Sequence, residues 1–309
     1  MRTLQSLSEL SGIVNPIALA AGVFDGVHVG HRAVVALARE KAAASHGQAW
    51  VLTFEPHPLR ILKPEAAPAL LTSTPHKLAL LASLGVDGCV LLPFDHDLAL
   101  IEPETFIDDL CSAAPSLRDM VVGENWTFGH RARGNTSLLR SIADQKSLSV
   151  SVVPGLAWNG AVVSSTRIRQ AVAAGQLDDA AAMLGRPFSM LGTVVHGKKV
   201  GRTLGFPTAN VNPHNEVRPP PGIYAVRVAV DATSLPGAAY VSGETSAVEQ
   251  DIVEVHVIDH QLDLYGRDIE VCFHRKLRDD KRFAGRDELK AQIARDVDQA
   301  RITLQSVVR

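Results

Sequence analysis

In the N-terminal part of the chain, short apolar runs alternate with longer stretches whose apolar positions recur every three or four residues. Ile17 to Ala20 reads as a buried strand, and the alanine-rich stretch Arg32 to Ala44 as a helix. Ala49 to Phe54 reads as a second strand, so strand, helix and strand make a βαβ unit and a parallel sheet is expected. The alternation continues. Leu78 to Leu84 reads as a helix stopped by Gly85, Cys89 to Phe94 as a strand, Glu104 to Ala113 as an amphipathic helix, Met120 to Gly123 as a strand end, and Leu148 to Pro154 as a last strand. Such a pattern predicts an open α/β sheet of Rossmann type. Ligands of these sheets lie at the C-terminal strand ends, where His28, His57 and Gly123 fall.

Past Gly185-Arg186-Pro187 the texture changes. Phe188 to Val195, Ile223 to Val230, Val253 to Ile258 and Asp268 to Phe273 alternate or run β-branched between Gly and Pro, which predicts a small antiparallel sheet or barrel. Arg286 to Val297 reads as a helix with Leu289, Ile293 and Val297 on one face. Two domains are therefore expected, residues 1–185 and 186–309.

Composition narrows the function classes. The 309 residues are 46% hydrophobic and 21% charged, with a net charge of −2, so a protein built mainly to hold nucleic acid is not expected. Cys89, Cys111 and Cys272 have neither metal-ligand spacing nor a disulfide framework, which suits a reducing cytoplasm. Arg2 and Ala18 to Ala21 faintly resemble a leader, but Asn15-Pro16 interrupts the run, and export is not expected. No apolar run is long enough to cross a membrane, and no membrane partner is expected.

The densest chemistry is Gly22-Val23-Phe24-Asp25-Gly26-Val27-His28-Val29-Gly30-His31, where the first strand turns into the first helix. Residues three apart share one face of a helix. A helix start presents unpaired N–H groups and a partial positive charge that suit phosphate. Two ring donors added there can hold a phosphate whose charge grows during reaction. Gly22, Gly26 and Gly30 suit close approach of backbone to a ligand. Taken singly, either histidine also reads as a loop or cap residue without chemistry.

Three further stretches stand out. Gly123 to Gly134 mixes Asn125, Trp126, Phe128, Arg131 and Arg133 in a loop after a strand, so a planar ring can stack there with an arginine near a phosphate. A packed loop with surface arginines fits the composition equally. Ser164-Ser165-Thr166-Arg167 opens a helix, either as an ordinary cap with solvated arginines or as an anion site to which Arg167 adds a cation. Gly197-Lys198-Lys199-Val200-Gly201-Arg202-Thr203-Leu204-Gly205-Phe206-Pro207-Thr208-Ala209-Asn210 suits a flexible phosphate-covering loop, though it lacks the P-loop ending. Thr208 and Asn210 point the same way if extended, and their oxygens are hard ligands that suit Mg²⁺ with ATP. A turn followed by a surface basic loop is the plain alternative.

His28-Val29-Gly30-His31 in this strand–turn–helix setting resembles the HxGH signature of the nucleotidyltransferase superfamily. Together with Thr53 to Pro58, Gly123 to Gly134, Ser164 to Arg169, Leu184 to Pro187, Gly205 to Asn210 and Val253 to Gly266, it closely resembles the bacterial bifunctional riboflavin kinase/FAD synthetase (FMN adenylyltransferase) family over nearly the whole chain. The resemblance implies an N-terminal Rossmann-like nucleotidyltransferase domain and a C-terminal β-barrel riboflavin kinase domain with a terminal helix. It implies phosphorylation of riboflavin by ATP to FMN, then adenylylation of FMN by ATP to FAD with release of pyrophosphate. Mg²⁺ would accompany ATP, the partners would be small molecules, and a homo-oligomer is left open. By position, His28, His31, Ser165 and Arg167 match the groups that stabilise the ATP phosphates, and Gly22, Phe24, Asp25, Gly30, Ser164 and Thr166 match the nucleotide-binding residues around them. Asn125 matches the flavin side. In the kinase half Thr208 and Asn210 match the Mg-nucleotide ligands, Gly197, Lys198, Gly201, Arg202 and Phe206 the binding loop, and Glu254 the general base.

The chain departs from the family where Asn-Ile-Gly-x-x-Pro-Thr-Phe usually precedes that Glu. Here Tyr240-Val241-Ser242-Gly243-Glu244-Thr245-Ser246 stands, and Asp280 replaces a common Glu. The departure supports a second reading, an FAD synthetase whose other module binds flavin or nucleotide without turnover. A third is a flavin- or nucleotide-binding regulator without catalysis.

Overall fold

A computed structural model of the chain describes residues 1–197, 200–231, 233–243 and 252–307. Its contacts divide the chain into two units, Met1–Pro68 with Thr74–Ser165, and Ala69–Ser73 with Thr166–Arg309.

In the first unit, β1 (Arg2–Leu4), β2 (Ile17–Ala21), β3 (Gln48–Glu55), β4 (Gly88–Pro93), β5 (Leu117–Gly123) and β6 (Ser149–Val153) form one sheet in the order β1-β4-β3-β2-β5-β6. Every pairing is parallel, as the alternation predicts. The helices are α1 (Val29–Ala44), α2 (Pro58–Leu62), α3 (Thr74–Ser83), α4 (His96–Leu100), α5 (Pro103–Ala113) and α6 (Thr136–Ala143). They cover both faces, and β2 shows why. Ala18 and Ala20 join a core with Val34, Val35 and Ala38 of α1 and Leu81 of α3. Ile17 and Leu19 join the opposite core, with Phe106, Ile107 and Leu110 of α5 and Leu139 of α6. Period-two alternation of fully apolar residues is what a strand buried on both faces requires. Each large aliphatic side chain so buried contributes about 1.5–3 kcal/mol. A short hairpin of β7 (Ala157–Trp158) and β8 (Ala161–Val162) follows.

The chain leaves β2 through α1 toward β3 on one side, and leaves β5 through α6 toward β6 on the other. Their C-terminal ends therefore border a topological switch point, the place where open α/β sheets hold ligands. The glycine–histidine run and the Gly123–Gly134 loop both emerge there.

The second unit carries α7 (Ser165–Ala173), whose first residue belongs to the first unit, and α8 (Leu177–Leu184), closed by Gly185 in the left-handed conformation at φ +69°. Strands β9 (Phe188–Val195), β10 (Ala209–Pro213), β11 (Gly222–Val230), β12 (Thr233–Val241), β13 (Val253–Val257) and β14 (Asp268–Arg278) close an antiparallel barrel in the order β10-β13-β12-β11-β14-β9. A helix α9 (Val200–Thr203) lies between β9 and β10, and α10 (Arg286–Val307) ends the chain. The barrel has two strands that the sequence pattern did not separate, β10 and β12. The last helix runs past Val297 because Val297, Ala300 and Leu304 keep one stripe packed with Ala225 and Ile258. Residues 69–73 are tied to this unit by Arg169 Nε donating to Ala69 O at 2.6 Å and Leu70 N donating to Glu216 Oε2 at 2.9 Å.

Candidate active sites

In the first unit α1 begins at Val29, earlier than the expected Arg32, so Gly30 and His31 lie within it and His28 is its N-cap. His28 Nδ1 accepts the backbone N–H of His31 at 3.3 Å. That bond requires an unprotonated Nδ1, which places a neutral ring's proton on Nε2 as a donor. The two imidazoles stack, centroids 3.6 Å apart, and His31 meets the edge of Phe24 at 5.2 Å. His31 is held well below the usual imidazole range, first by burial, then by the charges of His28 and Lys77. Its Nδ1 is buried without a hydrogen-bond partner, a cost that native structures rarely accept without a reason.

The glycines here serve the rings. A Cβ on Gly30 would come within 3.1 Å of the His28 ring, and one on Gly22 within 3.2 Å of the Phe24 ring. Expected as room for a ligand, both positions make room for side chains of the motif itself. Phe24 is 1% exposed, so its ring supports His31 from within. Asp25 is buried, and its carbonyl accepts from Ser165 Oγ at 2.9 Å. This bond sets Ser165, the last residue of the first unit, against the histidine loop. It also commits the Ser165 proton to a clasp. Ser164 precedes α7, and Thr166 and Arg167 follow Ser165 along it.

The aromatic loop after β5 differs from expectation. Trp126 and Phe128 stack on each other at 4.4 Å, Phe128 buried in the core and Trp126 half-buried against it, so each has one ring face occupied by the other. Arg133 donates to Glu102 Oε2 at 2.6 Å and Glu104 Oε1 at 2.8 Å, so its charge is matched by carboxylates and not reserved for a phosphate. Arg131 takes a left-handed φ of +54°. Asn125 is exposed at the strand-end crevice. Sequence reasoning passed over Lys77, buried below the histidine loop. The signal was there, since a lysine interrupts the apolar face of α3 four residues before the buried Leu81.

In the barrel the antiparallel register sets Asn210 opposite Glu254 and Glu254 opposite Tyr240. Directly opposed residues share a face. Their neighbours Val211, Val253 and Val241 point inward and are buried, so this row lies on the outer face, half-buried. Thr208 Oγ1 donates to Glu254 Oε2 at 3.4 Å. Gly197 lies against Asn210, whose side chain a Cβ there would overlap. Gly201 O accepts the amides of Leu204 and Phe206, closing the loop ahead of β10. Arg202 and Thr208 line a cavity of about 680 Å³ with His260, Asp263 and Tyr265. Phe206 instead packs toward α10 and meets the edge of His256 at 5.6 Å. Tyr240 Oη donates to Asp280 Oδ2 at 3.0 Å, so two positions that depart from the family pattern are bonded to each other. Lys198 and the Glu244–Ser246 part of the altered stretch lie outside the described residues. Among the described residues, no group of three His, Cys, Asp or Glu side chains is arranged to hold a metal ion, and no helix is long and apolar enough to cross a membrane.

A sequence model of FAD synthetase matches residues 12–167, and one of riboflavin kinase matches residues 184–304. The bifunctional riboflavin kinase/FMN adenylyltransferase of Escherichia coli K12 is 40% identical over 280 residues, 90% of each chain. The chain belongs to the bifunctional riboflavin kinase/FMN adenylyltransferase family. Members from Pseudomonas fluorescens and Haemophilus influenzae are 38% and 32% identical over 91% and 97% of this chain, and 90% and 98% of theirs. A solved structure titled macrolide-efflux protein from Streptococcus pneumoniae superposes with a TM-score of 0.82 at 27% identity, covering 97% of this chain and 99% of that one. The chain is thus an ATP-using transferase with both modules of the family, riboflavin kinase and FMN adenylyltransferase.

Proposed function

We propose that residues 1–185 carry the adenylyl transfer and residues 186–309 the kinase, with chemistry at the positions described above. The observation that carries the first half is the stacked His28–His31 pair at the mouth of α1, at the switch point of the sheet. A phosphate oxygen of FMN attacks the α-phosphorus of ATP and pyrophosphate leaves, so no side-chain nucleophile is required. His28 Nε2–H, His31, the start of α7 and Arg167 stabilise the charge that grows on the phosphates. Gly22, Asp25, Gly30, Ser164 and Thr166 shape that grip, and Asn125 faces the flavin side. A neutral His31, favoured by its burial, keeps the pair from repelling itself.

In the barrel, Glu254 takes the proton of the riboflavin 5′-hydroxyl as that oxygen attacks the γ-phosphorus of ATP and ADP leaves. Gly197, Gly201 and Arg202 are assigned to the loop about the nucleotide, with Phe206 packed behind it; Lys198, expected there too, lies outside the described residues. Thr208 and Asn210 suit Mg²⁺. Their hydroxyl and amide oxygens are hard donors that converge beside Glu254, and a cation that shares its ligands with phosphates needs few from the protein. Bound there with ATP, Mg²⁺ supplies neutralisation of phosphate charge. The three free cysteines support a reducing cytoplasm as the setting.

The test is the purified chain with riboflavin, ATP and Mg²⁺. FMN is expected first and FAD after it. Untouched riboflavin beside complete conversion of supplied FMN to FAD would leave only the first half of this reading standing.

A further inference from the structure

Beneath the histidine loop lies a charged group that the chemistry above does not use. Lys77 of α3 is 6% exposed. An ammonium so far from water is costly unless it is paired and hydrogen-bonded. Its Nζ donates to Phe54 O at 3.0 Å and to Thr53 Oγ1 at 3.4 Å, both at the C-terminal end of β3. Thr53, fully buried, passes its own proton to Val23 O at 2.9 Å, so one hydroxyl links the lysine to the backbone of the Gly22–His31 run. The carboxylates whose charge acts on Lys77 are Glu55, which accepts from Thr74 Oγ1, and the buried Asp25. The Cys89 thiol is pushed up to about 12 by burial and stays neutral, so it adds no counter-charge.

Two carboxylates beside a phosphate-binding helix start are an electrostatic conflict, because each repels a triphosphate through a medium that screens poorly. We propose that Lys77 is a positioning residue of the adenylyl-transfer site, whose ammonium cancels the charge of Asp25 and Glu55 under the His28–His31 helix start so that the triphosphate of ATP can approach. The inference rests on reading that helix start as the phosphate grip. Lys77 reaches the substrate only through the field it cancels and the loop it anchors. Its loss therefore weakens ATP binding more than turnover.

The experiment uses the full chain, following pyrophosphate release from FMN and ATP, with melting temperature as the check on folding. Lys77→Met is expected to raise KM for ATP about tenfold or more while kcat changes less than about threefold. Lys77→Arg, which keeps the charge, is expected to stay within about threefold of wild type. Adding Glu55→Gln to Lys77→Met is expected to recover most of the lost KM, a rescue that a purely structural lysine does not give. Glu55→Gln alone keeps the decision open if Lys77→Met does not fold: KM for ATP is expected to fall about twofold, and a rise overturns the proposal. A folded Lys77→Met with wild-type KM for ATP also overturns it. His28→Ala separates the two readings. If that variant makes FAD at the wild-type rate, the phosphate grip fails and this inference with it; if it is crippled while Lys77→Met is normal, only the role of Lys77 falls.

Discussion

The histidine pair of the parallel-sheet unit stands on buried ground, with Phe24, Asp25, Thr53 and Lys77 all nearly inaccessible around it. The Asn210–Glu254–Tyr240 row of the barrel lies on an outer face, half-buried. On the roles proposed above, the difference matches what each reaction asks of the protein. Adenylyl transfer brings its own nucleophile, an ionised phosphate, so the site needs only donors fixed in advance of the charge they meet, and burial fixes them. Phosphoryl transfer to a neutral hydroxyl needs a group that accepts a proton, and a half-solvated carboxylate does so at neutral pH without a large distortion of its environment.

The sharpest way to break this comparison is to remove the base. Glu254→Gln is expected to lower riboflavin phosphorylation about a thousandfold with nucleotide binding retained, measured by FMN formation and by ATP titration of the variant. Wild-type kinase turnover would remove Glu254 from the role. Next comes His28→Ala, expected to lower FAD formation at least about tenfold, or about 1.4 kcal/mol of transition-state stabilisation, with FMN formation unchanged. Equal loss of both activities would contradict the division of labour.

A smaller effect is expected from pH. Because His31 is held below its ordinary value of 6.5 in the folded chain, the unfolded chain binds the extra proton first as pH falls. The first unit is therefore expected to lose stability as pH drops below about 6.5 and through the depressed value, and to hold it fully above. Melting curves between neutral and mildly acidic pH, with His31→Gln for comparison, check this; the variant's curve should be flatter. The smallest effect is assigned to Tyr240→Phe. Burial, as the leading cause, pushes the Tyr240 phenol up, so it stays protonated and donates to Asp280. Losing that one half-exposed bond is expected to change KM for riboflavin by a few-fold at most, about 1 kcal/mol, with KM for ATP untouched.

Much of this is legible in the sequence. Strands buried on both faces announce themselves by continuous apolar runs, and the spacing of His28 and His31 announced a shared face. What stayed hidden depended on register or on company. Thr208 and Glu254 are 46 residues apart in sequence, and only strand pairing sets them together. The strand β12 was not separated by the pattern, and Pro236-Gly237 stands within it. In the barrel its register with β13 begins at Gly237, and at the very end of that ladder Pro236 only accepts, its carbonyl taking the N–H of Ile258 at 2.9 Å, so the missing N–H falls at the ladder's edge. Arg133 looked available until Glu102 and Glu104, on a different element, were seen to match it. Ser165 looked like an anion ligand until its proton was found on the carbonyl of Asp25. Sequence shows which side chains can do chemistry; it does not show which of them are already occupied.

The strand parity of β10, β12 and β13 has a consequence for how this chain can change. Asn210, Glu254 and Tyr240 are outward where Val211, Val253 and Val241 are inward. Deleting or inserting a single residue within any one of these strands would exchange the two sets. The polar groups of the proposed kinase row would be driven into the apolar interior and valines out to the solvent, so folding and any phosphorylation that depends on that row would be lost in the same event. Length variation in this module is thereby confined to the segments between strands, and the kinase row is inherited as a block or not at all.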